Sequence, residues 1–224
     1  MMQLEELVAV LEGANVAVVA DDEYSAATFL CNFINTDIIK RMILVVYSEI
    51  KCKKIKKVLK SKHELWNSKS LERVPVVKVG KTDEVGFGDT IAYIEGSGDL
   101  KDICTEVGAI LKKLNAHESK AAVFVGFELA SYLYDPVKIT YAIEELFAYV
   151  PNMTKYFILS QIKSECHPLI SNIFDVVIRI KRSQDFDVMS YSRTYDVYVE
   201  HSIVGNLPPI PLYRIDGDSL VDIL

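Results

Sequence analysis

Short, nearly continuous apolar runs alternating with amphipathic stretches constrain this chain more than any single motif does. Asn15 to Ala20, Met42 to Tyr47 and Ala121 to Val125 are each five or six residues long and rich in valine and alanine. Runs that brief fit strands buried on both faces, because a helix needs about ten residues or more and usually keeps a polar side. Between them, apolar residues recur at helical spacing. Leu4, Leu7, Val8 and Leu11 precede Gly13; Ala27, Leu30, Cys31 and Ile34 mark a helix over Tyr24 to Thr36; and Ile55, Val58 and Leu59 form the stripe of a lysine-rich helix that Ser48 caps and that runs to about Leu65. Such alternation predicts a mostly parallel sheet with helices on both faces.

Val74 to Val79 and Thr90 to Glu95 read as strands joined by a segment containing Gly80, Gly86 and Gly88, either as a hairpin or as two sheet strands with a loop between them. Asp99 caps a helix to about Leu114. Helices follow over Glu128 to Tyr134 and Pro136 to Tyr149, the second with proline in its first turn. Tyr156 to Ser160 is a strand, and a helix lies around Pro168 to Asn172. From Phe174 the pattern becomes strand after strand: Val176 to Lys181, Phe186 to Tyr191, Thr194 to His201 and Pro211 to Ile215. The expected architecture is one α/β domain over residues 1–224, three-layered, with an antiparallel extension at its C-terminal end.

A net charge of −6 argues against general affinity for nucleic acid or anionic membranes. Cys31, Cys52, Cys104 and Cys166 form no C-x-x-C pair and read as reduced thiols of an intracellular protein. No basic, apolar leader opens the chain, and no apolar run approaches the ~18 residues that span a bilayer, so a soluble, cytoplasmic protein is expected.

The first strand enters its helix through Asp21-Asp22-Glu23-Tyr24-Ser25-Ala26-Ala27-Thr28. A phosphate-binding loop at such a turn needs glycines, whose bare backbone N–H groups wrap the phosphates, and a lysine that neutralises them. This turn has neither, and its three carboxylates would repel a polyphosphate. They could instead ligate a divalent cation through oxygen, or simply cap the helix, and the capping reading is preferred. No metal or other cofactor is expected.

The layout resembles the RecA-like ATPase core, in particular its KaiC-like branch. Three stretches carry the likeness: the first strand and its turn; Ala121 to Glu128 (AAVFVGFE), similar to the strand that normally ends in an acidic Walker B residue; and Tyr156 to Ile180 (YFILSQIKSECHPLISNIFDVVIRI), similar to the KaiC-like strand, polar loop and helix leading to an aspartate. Arg193 to Asp216 also looks like that branch's closing strands, and Val77 to Lys81 is similar to a segment of an archaeal family of unknown function. Active relatives carry Gly-Lys-Ser/Thr where this chain has Asp21 to Ser25, with Thr28 the only later hydroxyl. At the second of these stretches Gly126 stands directly after the Ala121 to Val125 strand where an aspartate is expected, and Glu128 lies two residues on. Glu49 resembles a water-activating glutamate, but a base without a phosphate clamp has nothing to act on, and a helix-start carboxylate is the preferred reading. The resemblance implies a degenerate nucleotide site and no enzymatic activity: a pseudo-ATPase acting as a regulatory or assembly subunit, partnered by its own copies or by an active paralogue.

The alternative function is a residual nucleotide or nucleic-acid binder. The run Lys51 to Lys62 holds seven lysines, and Lys53, Lys54, Lys56 and Lys57 are its candidate phosphate contacts. It has no arginine and no aromatic residue before Trp66, which fits an ordinary solvated helix face better. His63, His117, His167 and His201 lack zinc-binding spacing, and Ser160 with His167 lacks a nucleophile elbow. Late tyrosines, including Tyr132, Tyr141, Tyr195 and Tyr213, suit either packing or a subunit contact.

Overall fold

Residues 15–20, 42–47, 75–80, 89–95, 121–125, 154–160 and 176–182 form strands β1 to β7, and all of them run parallel in one sheet. The computed structural model describes residues 4–34, 42–61, 74–115, 121–162, 166–183, 194–204, 207, 211–216 and 219–222. Strands β8 (Thr194–Ser202), β9 (Pro211–Asp216) and β10 (Ser219–Asp222) extend the sheet antiparallel from β7. The spatial order is β10-β9-β8-β7-β1-β6-β5-β2-β3-β4.

Helices cover both faces, which is why the central strands are buried along almost their whole length. Side chains alternate across a strand, so Val16 and Val18 of β1 join one core and Ala17 and Val19 the other. The first core packs against α1 (Leu4–Val10), α2 (Glu23–Ile34) and α3 (Glu49–Ser61), with Phe29, Phe33, Ile55 and Leu59 at its centre. The second packs against α4 (Leu100–Asn115), α6 (Pro136–Tyr149) and α7 (His167–Ile173), through Val107, Leu146, Phe157 and Phe174. The caps are where side-chain chemistry puts them: Asp99 accepts from the Lys101 N–H at 2.9 Å, and Asp135, ahead of Pro136, accepts from Lys138 at 3.0 Å.

The structure decides between the two readings left open for Val74 to Glu95, in favour of two sheet strands with a loop between them, and corrects other expectations. β3 and β4 are parallel neighbours, which excludes the hairpin; the connection over residues 81–88 crosses the α2/α3 face, burying Val85 and Phe87 in the first core in place of a helix. The expected Glu128–Tyr134 helix begins as a 3-10 turn, Phe127–Leu129, before α5 (Ala130–Leu133). The final strand continues into β10, which folds back on β9. The Phe186–Tyr191 strand falls outside the described residues. No described helix is long and apolar enough to cross a membrane.

The connections decide where a site can form. The chain leaves β1 and β2 through α2 and α3 on one face, but leaves β5 and β6 through α6 and α7 on the other. The exits therefore part between β1 and β6 and between β5 and β2, opening a crevice at the C-terminal strand ends, the usual ligand position in open α/β sheets.

Candidate functional site

The acidic turn after β1 points its carboxylates at three different partners. Asp21 Oδ2 accepts from the Arg182 N–H at 3.2 Å. Asp22 caps α2: its Oδ1 accepts from the Ser25 N–H at 2.8 Å, and its Oδ2 accepts from the Tyr195 hydroxyl at 2.6 Å. Burial alone would raise the Asp22 carboxyl, but the Ser25 N–H, the Tyr195 hydroxyl and further donors outweigh it and hold the acid below its ordinary value. Glu23 Oε1 accepts from Lys51 at 2.6 Å and from Lys54 at 3.1 Å. The geometry is that of capping and ion pairing, without convergence on a common cation, and no metal-ligating group of three acidic, histidine or cysteine residues occurs among the described residues. Ser25 and Thr28 are both buried. The Ser25 hydroxyl donates to the Asp22 carbonyl at 3.1 Å, and the Thr28 hydroxyl has no hydrogen-bond partner.

The crevice is filled by a lysine that comes from a different element. Lys51, on the first turn of α3, is only 4% exposed, which corrects its place in the solvated lysine face. Its ammonium pairs with Glu23 and Glu128 and donates to Ser160 Oγ at 3.1 Å; Ser160 in turn donates to Glu128 Oε1 at 3.1 Å. Three strand ends thus converge: β1 through Glu23, β5 through Glu128 and β6 through Ser160. Burial pushes the Glu128 carboxyl above its ordinary value although Lys51 pulls it down. Glu128 Oε2 is buried with no hydrogen-bond partner among the described residues.

Gly126 is what lets Lys51 in. Its φ of 89° lies in the left-handed region, and a Cβ there would sit 2.5 Å from the Tyr47 carbonyl oxygen and 2.8 Å from Cγ of Lys51. The position that resembles a Walker B aspartate is therefore one where no side chain fits.

Glu49 opens α3 but faces away from this cluster. Its Oε1 accepts from the Lys81 N–H at 2.5 Å, the Thr82 N–H at 3.0 Å and the buried Lys78 ammonium at 3.2 Å, clipping the β3 end to α3. Burial opposes ionisation, yet these donors and its own helix N–H bring the carboxyl down to about 2. A group so bound holds its proton too weakly for a general base. Of the basic-helix candidates, Lys53 and Lys57 are exposed, Lys54 is paired with Glu23, and Lys56 lies along Gly86.

The crevice roles of Lys51 and Ser160 escape sequence reasoning, which names Lys51 only as the start of the basic run and Ser160 only as an unsupported nucleophile. The available signal was periodic: Lys51 precedes Ile55 by four residues and Leu59 by eight, on the buried stripe of α3. Nothing local marks Ser160, whose partners come from positions 32 and 109 residues away.

No protein-family model matches the chain, and no curated protein does. Solved structures do. A Pyrococcus horikoshii protein studied as project PH0250 aligns with a TM-score of 0.65 at 14% identity, over 92% of this chain and 96% of that one. The KaiC-like protein PH0186 from the same archaeon aligns with a TM-score of 0.60 at 12% identity, over 95% and 91%. The class of fold is RecA/KaiC-like, a mostly parallel α/β sheet with antiparallel C-terminal strands. At these identities the likeness establishes the fold alone.

Proposed function

We propose that this chain is a non-catalytic RecA-like domain, a pseudo-ATPase that acts through protein contacts as a regulatory or assembly subunit. The observation that carries this reading is the Lys51–Glu23–Glu128–Ser160 cluster, which occupies the crevice at the β1, β5 and β6 ends with the protein's own charges. Lys51 is neutralised by two carboxylates and leaves no unpaired cation there for a phosphate. The Ser25 N–H, which an anion at the α2 N-terminus would use, already bonds Asp22. For contacts, the domain exposes large apolar side chains at Tyr132 and Leu133 of α5 and at Val137 and Tyr141 of α6, the kind of residues that mark interaction surfaces.

Calorimetry with MgATP and MgGTP, paired with light scattering, tests the reading. It expects no saturable nucleotide binding at concentrations up to about 1 mM and self-association that weakens when Leu133 and Val137 become serine. Nucleotide binding or hydrolysis would overturn the first half, and a monomer indifferent to those substitutions that also binds no ATPase partner would overturn the second. The basic-helix alternative instead expects salt-sensitive nucleic-acid binding that is lost when Lys53, Lys54, Lys56 and Lys57 become glutamate.

A further inference from the structure

β1 and β2 follow one another among the strands of the chain but lie three places apart in the sheet, with β6 and β5 between them. Helices seated over β1 and β2 would be about 14 Å apart at ordinary strand spacing, whereas close-packed helices sit about 8–10 Å apart. α2 and α3 approach each other more closely than the strand spacing alone would set them, and the space left between them is a cleft of about 280 Å³. Ala27 and Leu30 line it from α2, Ile55 and Val58 from α3, and Val125 and Ile158 from the sheet beneath. Glu23, Lys51 and Ser160 of the crevice cluster close one end of the cleft, and two further polar features give its apolar space a chemical direction. Lys54 and Lys57, both exposed, line it from α3. Glu128 also lines it, with its buried Oε2 lacking any donor among the described residues.

We propose that this cleft binds a small amphipathic anion, with its apolar body between α2 and α3 and its carboxylate or phosphate head at Lys57. A hydroxyl or amide N–H at the far end of the ligand satisfies Glu128 Oε2. The donor at that end is neutral, because Glu23 and Glu128 are already paired with Lys51 and Lys54. Apolar walls with a few placed polar groups are the usual make-up of small-molecule sites. The cleft starts at the self-filled cluster, whose Glu23, Lys51, Glu128 and Ser160 line one end of it, and continues along the flanks of the two helices; its occupant is an amphipathic acid and not a nucleotide, so this goes beyond the non-catalytic reading. Nucleotide indifference stands or falls separately from it.

The test is calorimetry with 8-hydroxyoctanoate on the whole chain, against octanoate, which lacks the donor, and 1,8-octanediol, which lacks the head. The expected result is saturable one-to-one binding, with octanoate about three- to tenfold weaker for the loss of one hydrogen bond. Lys57→Glu should weaken the two anions and leave the diol unchanged. Ala27→Phe, at a half-buried position, should abolish binding of all three by filling the cleft. No saturable binding by the unaltered chain at millimolar concentration overturns the proposal, as does full-strength binding by a folded Ala27→Phe protein. If Ala27→Phe does not fold, undiminished anion binding by Lys57→Glu at low salt overturns it instead.

Discussion

Replacing Lys51 by methionine isolates the electrostatics of the crevice. The substitution keeps the unbranched stem that packs against Gly126 and removes the ammonium that pairs Glu128 and Glu23. Stripping one partner from a buried ion pair costs about 3–5 kcal/mol, because the remaining charge is left uncompensated. Glu128 can escape that cost by taking up a proton. Burial already raises its carboxyl, and losing Lys51 raises it further. A carboxyl whose folded-state pKa lies above its unfolded value favours the folded state in acid and loses that contribution as pH rises through the folded pKa. Lys51→Met should therefore cost about 3–5 kcal/mol at pH 8 and only about 1 kcal/mol near pH 4, where the lost bond to Ser160 remains. Urea unfolding of both proteins from pH 4 to pH 8 measures this directly. Adding Glu128→Gln, which keeps an acceptor for Ser160, should recover about 2 kcal/mol or more at pH 8. A loss below about 1 kcal/mol that does not vary with pH would refute the argument.

Three further outcomes are expected from the same unfolding assay. Glu49→Gln should cost about 1–2 kcal/mol at pH 7 after allowance for solvent screening, with the difference fading as pH falls from the ordinary glutamate range towards about 2, because a lowered carboxyl stabilises only while ionised. Gly126→Ala should cost about 2 kcal/mol or more, combining a left-handed backbone with a Cβ pressed against the Tyr47 carbonyl; a neutral result would mean that this turn relaxes freely. Tyr195→Phe should cost about 1–3 kcal/mol by removing the donor to Asp22, and Tyr195→Phe combined with Asp22→Asn should cost less than the sum of the two single changes.

The layered α/β architecture was readable because burial on both faces leaves a plain signature: valine-rich runs such as Met42 to Tyr47 cannot be half-exposed strands. The cap at Asp99 and the proline that opens the Pro136 helix were readable because they depend on neighbours in sequence. The parallel pairing of β3 with β4 was not, because the choice between a hairpin and a crossover depends on Val85 and Phe87 finding a core supplied by α2 and α3. The site divides in the same way. Asp22 as a cap follows from its place before the helix, whereas the role of Lys51 depends on Gly126 leaving room and on Glu128 and Ser160 arriving from other strands. Seen in sequence, the turn after β1 lacks a lysine; in space one is present, already bound.

The most direct measurement on the central claim is thermal melting of the purified chain with MgATP, MgGTP and Mg²⁺ alone at physiological salt. A ligand held at a hundred times its Kd would add about 2.7 kcal/mol, which for a domain of this size is a rise of about 5–10 °C. The self-filled crevice predicts unchanged melting under all three conditions. A nucleotide-dependent rise of that size would contradict it, because a phosphate could then displace the bonds among Lys51, Glu23, Glu128 and Ser160.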